Sequence, residues 1–385
     1  MAVPLLDLNA QNLALETELT AAFARVLHHG QFILGKEVTL FEEALARFTG
    51  ARHAIGTSSG TDAILLALMA AGIGPGDEVL CPTYTFFATA GCVARVGAKP
   101  VFVEADAVTF NMDPVDAARR ITPRTKAIIP VHLFGQAAAM DEVMALAQQH
   151  SLTVIEDAAQ SMGAAYRERQ LGTIGHAGVF SFFPSKNLGA LGDAGMLVTN
   201  DDAFAEQARL LRTHGSKPKY YHKVVGGNFR LDALQAALLG VKLAHYASYT
   251  RRRRENAAYY TEQLRQLPGV LLATEEAAAN TKLILPVALP TNEHIWNQYT
   301  LRVIGAGRRD ALRALSENRK VGTEIYYPVP MHAQECFPDD RFAPSDLPVA
   351  MRLASEALSV PVFPELTRAQ ADEVVAVIRD FLAAG

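Results

Sequence analysis

Thr153-Val-Ile-Glu-Asp157-Ala-Ala-Gln160 begins as an apolar run and ends in two acids. The run suits a strand covered on both faces, as strands of a parallel sheet are. The acids then put Asp157 at the carboxyl end of that strand, the edge where open α/β sheets take their ligands. Working outward, similar short runs occur at Ala127–Val131 and Val179–Phe183, and again at His53–Gly56, Val79–Cys81, Pro100–Val103 and Met196–Thr199. Helical spacing separates them. Leu15, Leu19, Phe23 and Val26 share one helix face, and Leu40, Ala44, Leu45 and Phe48 share another, stopped by Gly50. Asp113 and Pro114 read as the cap and first turn of a helix reaching Arg120. Strand–helix alternation of this kind predicts an α/β fold with a mainly parallel sheet.

At 385 residues the chain has room for two domains. Residues 1–250 are expected to form the large one and 251–385 a smaller α+β one. A helical pattern runs from Leu231 through Arg251–Arg254 to about Leu267. The four arginines are expected to be a solvated helix face, because the chain around them is not basic. Beyond Thr281 the order becomes strand (Leu283–Ala288), strand (Tyr299–Val303), helix (Arg309–Arg319) and strand (Thr323–Tyr327). A capping box, Thr367-x-x-Gln370, opens the last helix.

Thirty-six basic against forty acidic residues give a net charge of −4, which argues against a nucleic-acid binder. The three cysteines, Cys81, Cys92 and Cys336, form no C-x-x-C pair, so neither a disulfide framework nor a metal site is expected. No signal peptide and no membrane-spanning run is read, and a cytoplasmic location is expected.

Three segments could carry chemistry. Gly56-Thr-Ser-Ser-Gly60-Thr61-Asp62 joins a strand to a helix. Free amides at a helix N-terminus favour a phosphate. The same segment also fits G-x-S-x-G, which keeps open an esterase with Ser58 as nucleophile. Asp157 could cap a turn or hold a proton on a heterocyclic nitrogen. Lys186, in Ser181-Phe-Phe-Pro-Ser-Lys186-Asn-Leu-Gly189, sits among aromatics and glycines, where burial lowers an amine's pKa and suits it to Schiff-base chemistry. A phosphate cradle, an acid for a ring nitrogen and an amine for an aldehyde are the handles of pyridoxal 5′-phosphate (PLP).

The chain resembles the DegT/StrS-type sugar-nucleotide aminotransferases, a branch of the fold type I PLP enzymes. The residues that carry the likeness are FILGKEVTLFEEALARFTG (32–50), GTSSGTDAILLAL (56–68), PTYTFFATA (82–90), VIEDAAQSMGA (154–164), FSFFPSKNLGALGDAGMLVTND (180–201), GGNFRLDALQAALL (226–239) and YYPVPMHAQ (326–334). The resemblance implies that Lys186 holds PLP, that Asp157 pairs with its ring nitrogen and that Gln160 lies near its 3′ oxygen. It makes Phe86 the stacking aromatic, gives Gly60, Thr61 and Ser181 to the phosphate with Asp62 adjacent, and sends Asn228 to the phosphate of a partner subunit. Tyr326, Tyr327 and His332 would lie near the sugar, and Lys219, His222 and Arg230 are candidate substrate contacts. Implied partners are L-glutamate and a nucleotide-linked keto sugar, with a homodimer sharing its active sites. Tyr326-Tyr327-Pro328 and KPKYYHKVVGGNF (217–229) look most like members acting at C3 of 3-keto UDP-sugars; a dTDP-3-keto-6-deoxyhexose and a C4 ketone are alternatives. A non-catalytic regulator of the same family would be expected to lose Lys186 or Asp157.

Overall fold

A computed structural model describes residues 2–337 and 343–384. Its centre is a seven-stranded sheet of β1 (His53–Thr57), β2 (Glu78–Pro82), β3 (Lys99–Val103), β4 (Thr125–Ile128), β5 (Thr153–Asp157), β6 (Ala177–Ser181) and β7 (Gly195–Thr199), in the spatial order β1-β7-β6-β5-β4-β2-β3. Only β7 runs against the others, pairing antiparallel with both β1 and β6. The mainly parallel sheet read from the sequence is therefore present. Strands β2, β5, β6 and β7 are buried almost throughout, which is why they are apolar without alternation.

A second sheet, β8 (Val270–Leu272), β9 (Leu283–Leu285), β10 (Tyr299–Val303) and β11 (Ala357–Val360), lies in that order toward the C-terminus. Thr323–Tyr327, expected as a strand, is not one. Its backbone makes a single bridge, Glu324 to Ser359, and then turns away so that the Tyr326 carbonyl accepts the Tyr84 hydroxyl at 2.6 Å. Thr367 and Gln370 do form a capping box, on the helix Arg368–Ala383.

One helix of 32 residues, Ala233–Leu264, spans both units. Its first half (Ala236, Leu239, Tyr246) packs with the lysine-bearing segment, and its second half (Ala257, Tyr260, Leu264) packs on the second sheet. Residue 250 falls inside this helix, where its packing passes from one cluster to the other. Val3, placed with the large unit by sequence order, packs in the second cluster and bridges to Val321.

The arginine run needs correcting. Arg251 and Arg252 are exposed as expected, but Arg253 is buried and its guanidinium donates to the Trp296 and Asn297 carbonyls, both at 3.2 Å. Phe23 and Leu40, expected on packed helix faces, are 47% and 46% exposed.

Candidate active site

The carboxyl ends of β1, β2, β5 and β6 converge on a cavity of about 480 Å³. Ser59, Gly60 and Thr61 line it from the end of β1, Phe86 from beyond β2, Asp157 and Gln160 from β5, and Ser181 and Lys186 from β6. Residues as far apart as Ser59 and Lys186 thus share one wall, because parallel strands all deliver their exits to the same edge.

The cradle is built by close approach. Ser59 caps the helix Gly60–Ala70, its side chain accepting from the Asp62 amide at 3.0 Å, and the Ala63 amide takes the Ser59 carbonyl. The Gly60 and Thr61 amides open the helix at the cavity wall. A Cβ on Gly60 would come within 2.7 Å of the Ser181 side chain, and one on Gly195 within 2.3 Å of the Ser59 backbone. Three strands are packed so tightly here that only hydrogen fits. That brings the first residues of the helix and the Ser181 side chain together on one stretch of the cavity wall, where a helix N-terminus favours an anion. Asp62 itself does not line the cavity; its carboxylate accepts the Ser58 hydroxyl at 2.5 Å. Ser58 is thereby tied to an acid. No histidine lines the cavity among the described residues, so the base an esterase needs is missing.

The two acids of β5 point opposite ways, as successive strand residues do. Glu156 is fully buried and structural. It accepts the amides of Gly172, Ile174 and Gly175 and pairs with His132 at 2.9 Å. Asp157 faces the cavity and is also buried, accepting the Thr89 hydroxyl at 2.8 Å and the Ala159 amide at 3.2 Å. Burial raises its pKa above the ordinary carboxylate value, and those two hydrogen bonds only partly oppose the shift. A buried carboxylate of this kind is best matched by a cation, and a protonated ring nitrogen supplies one.

Lys186 is partly exposed as a residue, yet desolvation pushes its amine down to about 8, against the opposing pull of Asp157. At pH 7 about a tenth of it is then the free base that attacks an aldehyde, far more than for an ordinary lysine. Gln160 is held from behind, its Oε1 accepting the Phe134 amide at 2.8 Å while its Nε2 donates to the Tyr327 hydroxyl at 3.1 Å. Phe86 is 56% exposed over the cavity, with its ring 6.2 Å from that of Tyr327. Tyr326 and Tyr327 line the wall, pinned by Tyr84.

Other expected residues lie elsewhere. His332 is buried away from the cavity, its Nδ1 2.6 Å from the Thr83 hydroxyl. Lys219 and His222 are on an exposed loop, and Asn228 is exposed on a segment alongside β1. Arg230 bridges to Thr57 without lining the cavity. Thr89, Asp193, Asn297 and Gln298 belong to the site or its support but were not singled out from the sequence. Thr89 lies within PTYTFFATA and could have been suspected; Asn297 and Gln298 arrive from the second unit with no local signal. A larger groove of about 770 Å³, beside the helix Met140–His150, contains none of the singled-out residues.

An amine near its neutral point, a carboxylate that wants a cation and a helix mouth for phosphate, on the ligand edge of this sheet, together fit PLP and define a fold type I PLP-dependent aminotransferase. The chain belongs to the DegT/DnrJ/EryC1/StrS aminotransferase family, whose model matches residues 14–379. It is 48% identical over 381 residues to the pleiotropic regulatory protein of Geobacillus stearothermophilus, with 99% of each chain covered. It is 43% identical to the UDP-N-acetyl-3-dehydro-alpha-D-glucosamine 3-aminotransferase of Acidithiobacillus ferrooxidans, covering 98% of this chain and 97% of that one. Among solved structures, S. venezuelae DesV in complex with a ketimine intermediate superposes with a TM-score of 0.92 at 42% identity, covering 99% and 98% of the two chains. The protein is a PLP-dependent sugar-nucleotide aminotransferase.

The amine's depressed pKa has a consequence for cofactor capture. Only neutral Lys186 forms the covalent link, so uptake of PLP by apoprotein should accelerate roughly tenfold from pH 7 to pH 9 and level off above, as expected for a group titrating near 8. Stopped-flow absorbance measures this; a rate independent of pH would contradict the assignment.

Proposed function

We propose that this enzyme transfers an amino group from L-glutamate to the C3 ketone of a UDP-linked sugar such as UDP-3-keto-N-acetylglucosamine. We further propose that it acts in the cytoplasm as a homodimer with shared active sites, making an amino sugar for a cell-surface polysaccharide or lipopolysaccharide. The observation that carries the reading is the shared cavity of Lys186, Asp157 and the Gly60–Thr61 helix mouth, with the Tyr326–Tyr327 wall facing them. The likeness to a UDP-sugar 3-aminotransferase supports the choice of acceptor.

When bound, PLP supplies an aldehyde that takes up the amine and a ring that accepts the electron pair freed by C–H cleavage. The protein supplies the rest. Gly60, Thr61 and Ser181 anchor the phosphate, and Phe86 covers the ring face. Asp157 holds the proton on the ring nitrogen, with Thr89 and Ala159 fixing its carboxylate. Lys186 takes the proton from the α-carbon of glutamate and, in the second half-reaction, delivers one to C3 of the sugar. Loss of 2-oxoglutarate separates the halves.

The dimer is supported by the rim. Phe86, Phe183 and Leu191 stand 56%, 52% and 46% exposed at or beside the cavity, with Ile33 at 54% bridging to Asp232 nearby. So much exposed apolar surface suits a second copy. That copy would bring its Asn228 to the phosphate, with its Lys219, His222 and Arg230 as candidates for the substrate's anionic groups. Mixing Lys186→Ala and Asn228→Ala chains should therefore regain one functional site per mixed dimer, read as glutamate-dependent turnover. No recovery on mixing would argue for self-contained sites.

The acceptor is tested by loading the protein with pyridoxamine 5′-phosphate and adding UDP- and dTDP-linked 3-keto and 4-keto sugars in turn. Return of the aldehyde cofactor's absorbance is expected fastest with the UDP-3-keto sugar. A faster return with a dTDP-3-keto-6-deoxyhexose or a 4-keto sugar would reassign the substrate.

A further inference from the structure

Among the buried polar side chains of the long helix Ala233–Leu264, three that the chemistry above does not use, Lys242, Tyr246 and Arg253, are each less than 5% exposed and each bonded to another segment. They lie four and eleven residues apart, and at about 100° per residue all three fall within about 40° of one helix face. Each donates to a backbone carbonyl in a different irregular segment. Lys242 Nζ donates to the Gly189 carbonyl at 2.8 Å, the Tyr246 hydroxyl to the Met162 carbonyl, and Arg253 to the carbonyls of Trp296 and Asn297.

All three segments lead directly from the cavity wall. Gly189 follows Lys186 by three residues, Met162 follows Gln160 by two, and Asn297 is itself in the wall beside Gln298. Carbonyls in such segments have no strand ladder to pair with, so a donor must come from elsewhere. The helix provides it. A lysine is a costly choice for this place, since burial disfavours its charge and pushes its pKa down to about 8. A methionine would fill the volume but leave the Gly189 carbonyl without this donor, so the lysine supplies a tie that packing alone cannot.

We propose that this helix face is a positioning element of the active site, in which Lys242 fixes the lysine-bearing segment Phe183–Ala190 so that Lys186 faces Asp157, while Tyr246 and Arg253 fix the segments behind Gln160 and Gln298. The ends of the first segment are already closed, the Ala190 amide donating to the Phe182 carbonyl and the Lys186 amide to the Phe183 carbonyl, both at 2.8 Å. Between these ties, among the described residues, Lys242 is the one side chain found donating to Gly189 from outside the segment. Because Arg253 grips the second unit from the same rod, the position of Lys186 is referred to the Asn297–Gln298 wall rather than to the central sheet only. The inference holds for any sugar acceptor.

The test is Lys242→Met, which keeps length and removes the donor, compared with Lys242→Arg, which keeps a cation able to donate. Hydrogen exchange followed by mass spectrometry on the apoprotein should show segment 183–190 exchanging about tenfold faster in Lys242→Met, with β6 and β7 unchanged, as expected for loss of one internal hydrogen bond. Turnover of the PLP-loaded protein should fall about 10²-fold with KM for glutamate little changed, since misplacement by about 1 Å costs that much. Lys242→Arg should recover part of both. Unchanged exchange in 183–190, or faster exchange spread through the whole sheet with turnover per folded molecule retained, would overturn the proposal. If Lys242→Met does not fold, Tyr246→Phe replaces it: faster exchange confined to residues 158–164 with lowered turnover supports the positioning role, and unchanged exchange there overturns it.

Discussion

Lys186→Ala is expected to lower turnover by at least about 10⁴-fold, the upper end of what a positioned proton carrier contributes. The figure follows from geometry. Among the described residues no other amine lines the cavity, so neither the covalent hold on PLP nor the proton shuttle has a substitute. Lys242 cannot take over, being engaged with the Gly189 carbonyl. The variant should still bind PLP, because Gly60, Thr61, Ser181 and Asp157 remain. It should do so without a covalent link, so that borohydride treatment followed by peptide mapping finds no labelled lysine. A label on Lys186 in the parent protein and none in the variant is the expected pair of results. A label that moves to another lysine, with turnover retained, would show that the nucleophile has been misassigned.

Replacing Asp157 comes second in size. Asp157→Ala should retain some PLP yet lose about 10²–10³-fold in turnover, the range for removing one preorganised electrostatic group from a water-poor site. The loss is expected to appear in kcat more than in KM, because the carboxylate acts when charge builds on the ring rather than when glutamate binds. Stability changes too: the Thr89 hydroxyl and the Ala159 amide lose their acceptor, which costs about 1–3 kcal/mol for buried groups. Asp157→Asn separates the two effects. The amide oxygen can still accept from Thr89, so stability should largely return while turnover stays low. An Asn variant with parental turnover would remove Asp157 from the mechanism and leave it a structural cap.

Much of this site was legible from residues because its parts are local. Apolar runs gave away the buried strands, the acid at the end of β5 marked the ligand edge, and Lys186 was conspicuous among aromatics and glycines. What stayed hidden was set by distant parts of the chain. Thr323–Tyr327 has a strand's composition, but its hydrogen bonds go to Ser359 and Tyr84 rather than to a ladder. Arg253 looks like its three neighbours in sequence, and only the helix's rotation against the second unit turns it inward. Asp157 was readable as the acid at the strand's end, but that its neighbour Glu156 is turned away onto backbone amides shows only in the fold. Phe23 and Leu40 have the spacing of packed residues, yet no other part of the described chain packs over them.

The place of β7 between β1 and β6 also bears on how the enzyme is made. The strand that leads into the cradle, His53–Thr57, has its partner at Gly195–Thr199. A ribosome adding about 5–20 residues per second needs roughly seven to thirty seconds to travel between them. Throughout that interval the cradle has no floor, since Gly195 is what the Ser59 backbone rests against. The growing chain therefore cannot capture its cofactor as soon as the cradle sequence emerges. The complete cradle is expected only in chains whose strands β1 and β7, more than a hundred residues apart in sequence, have already paired.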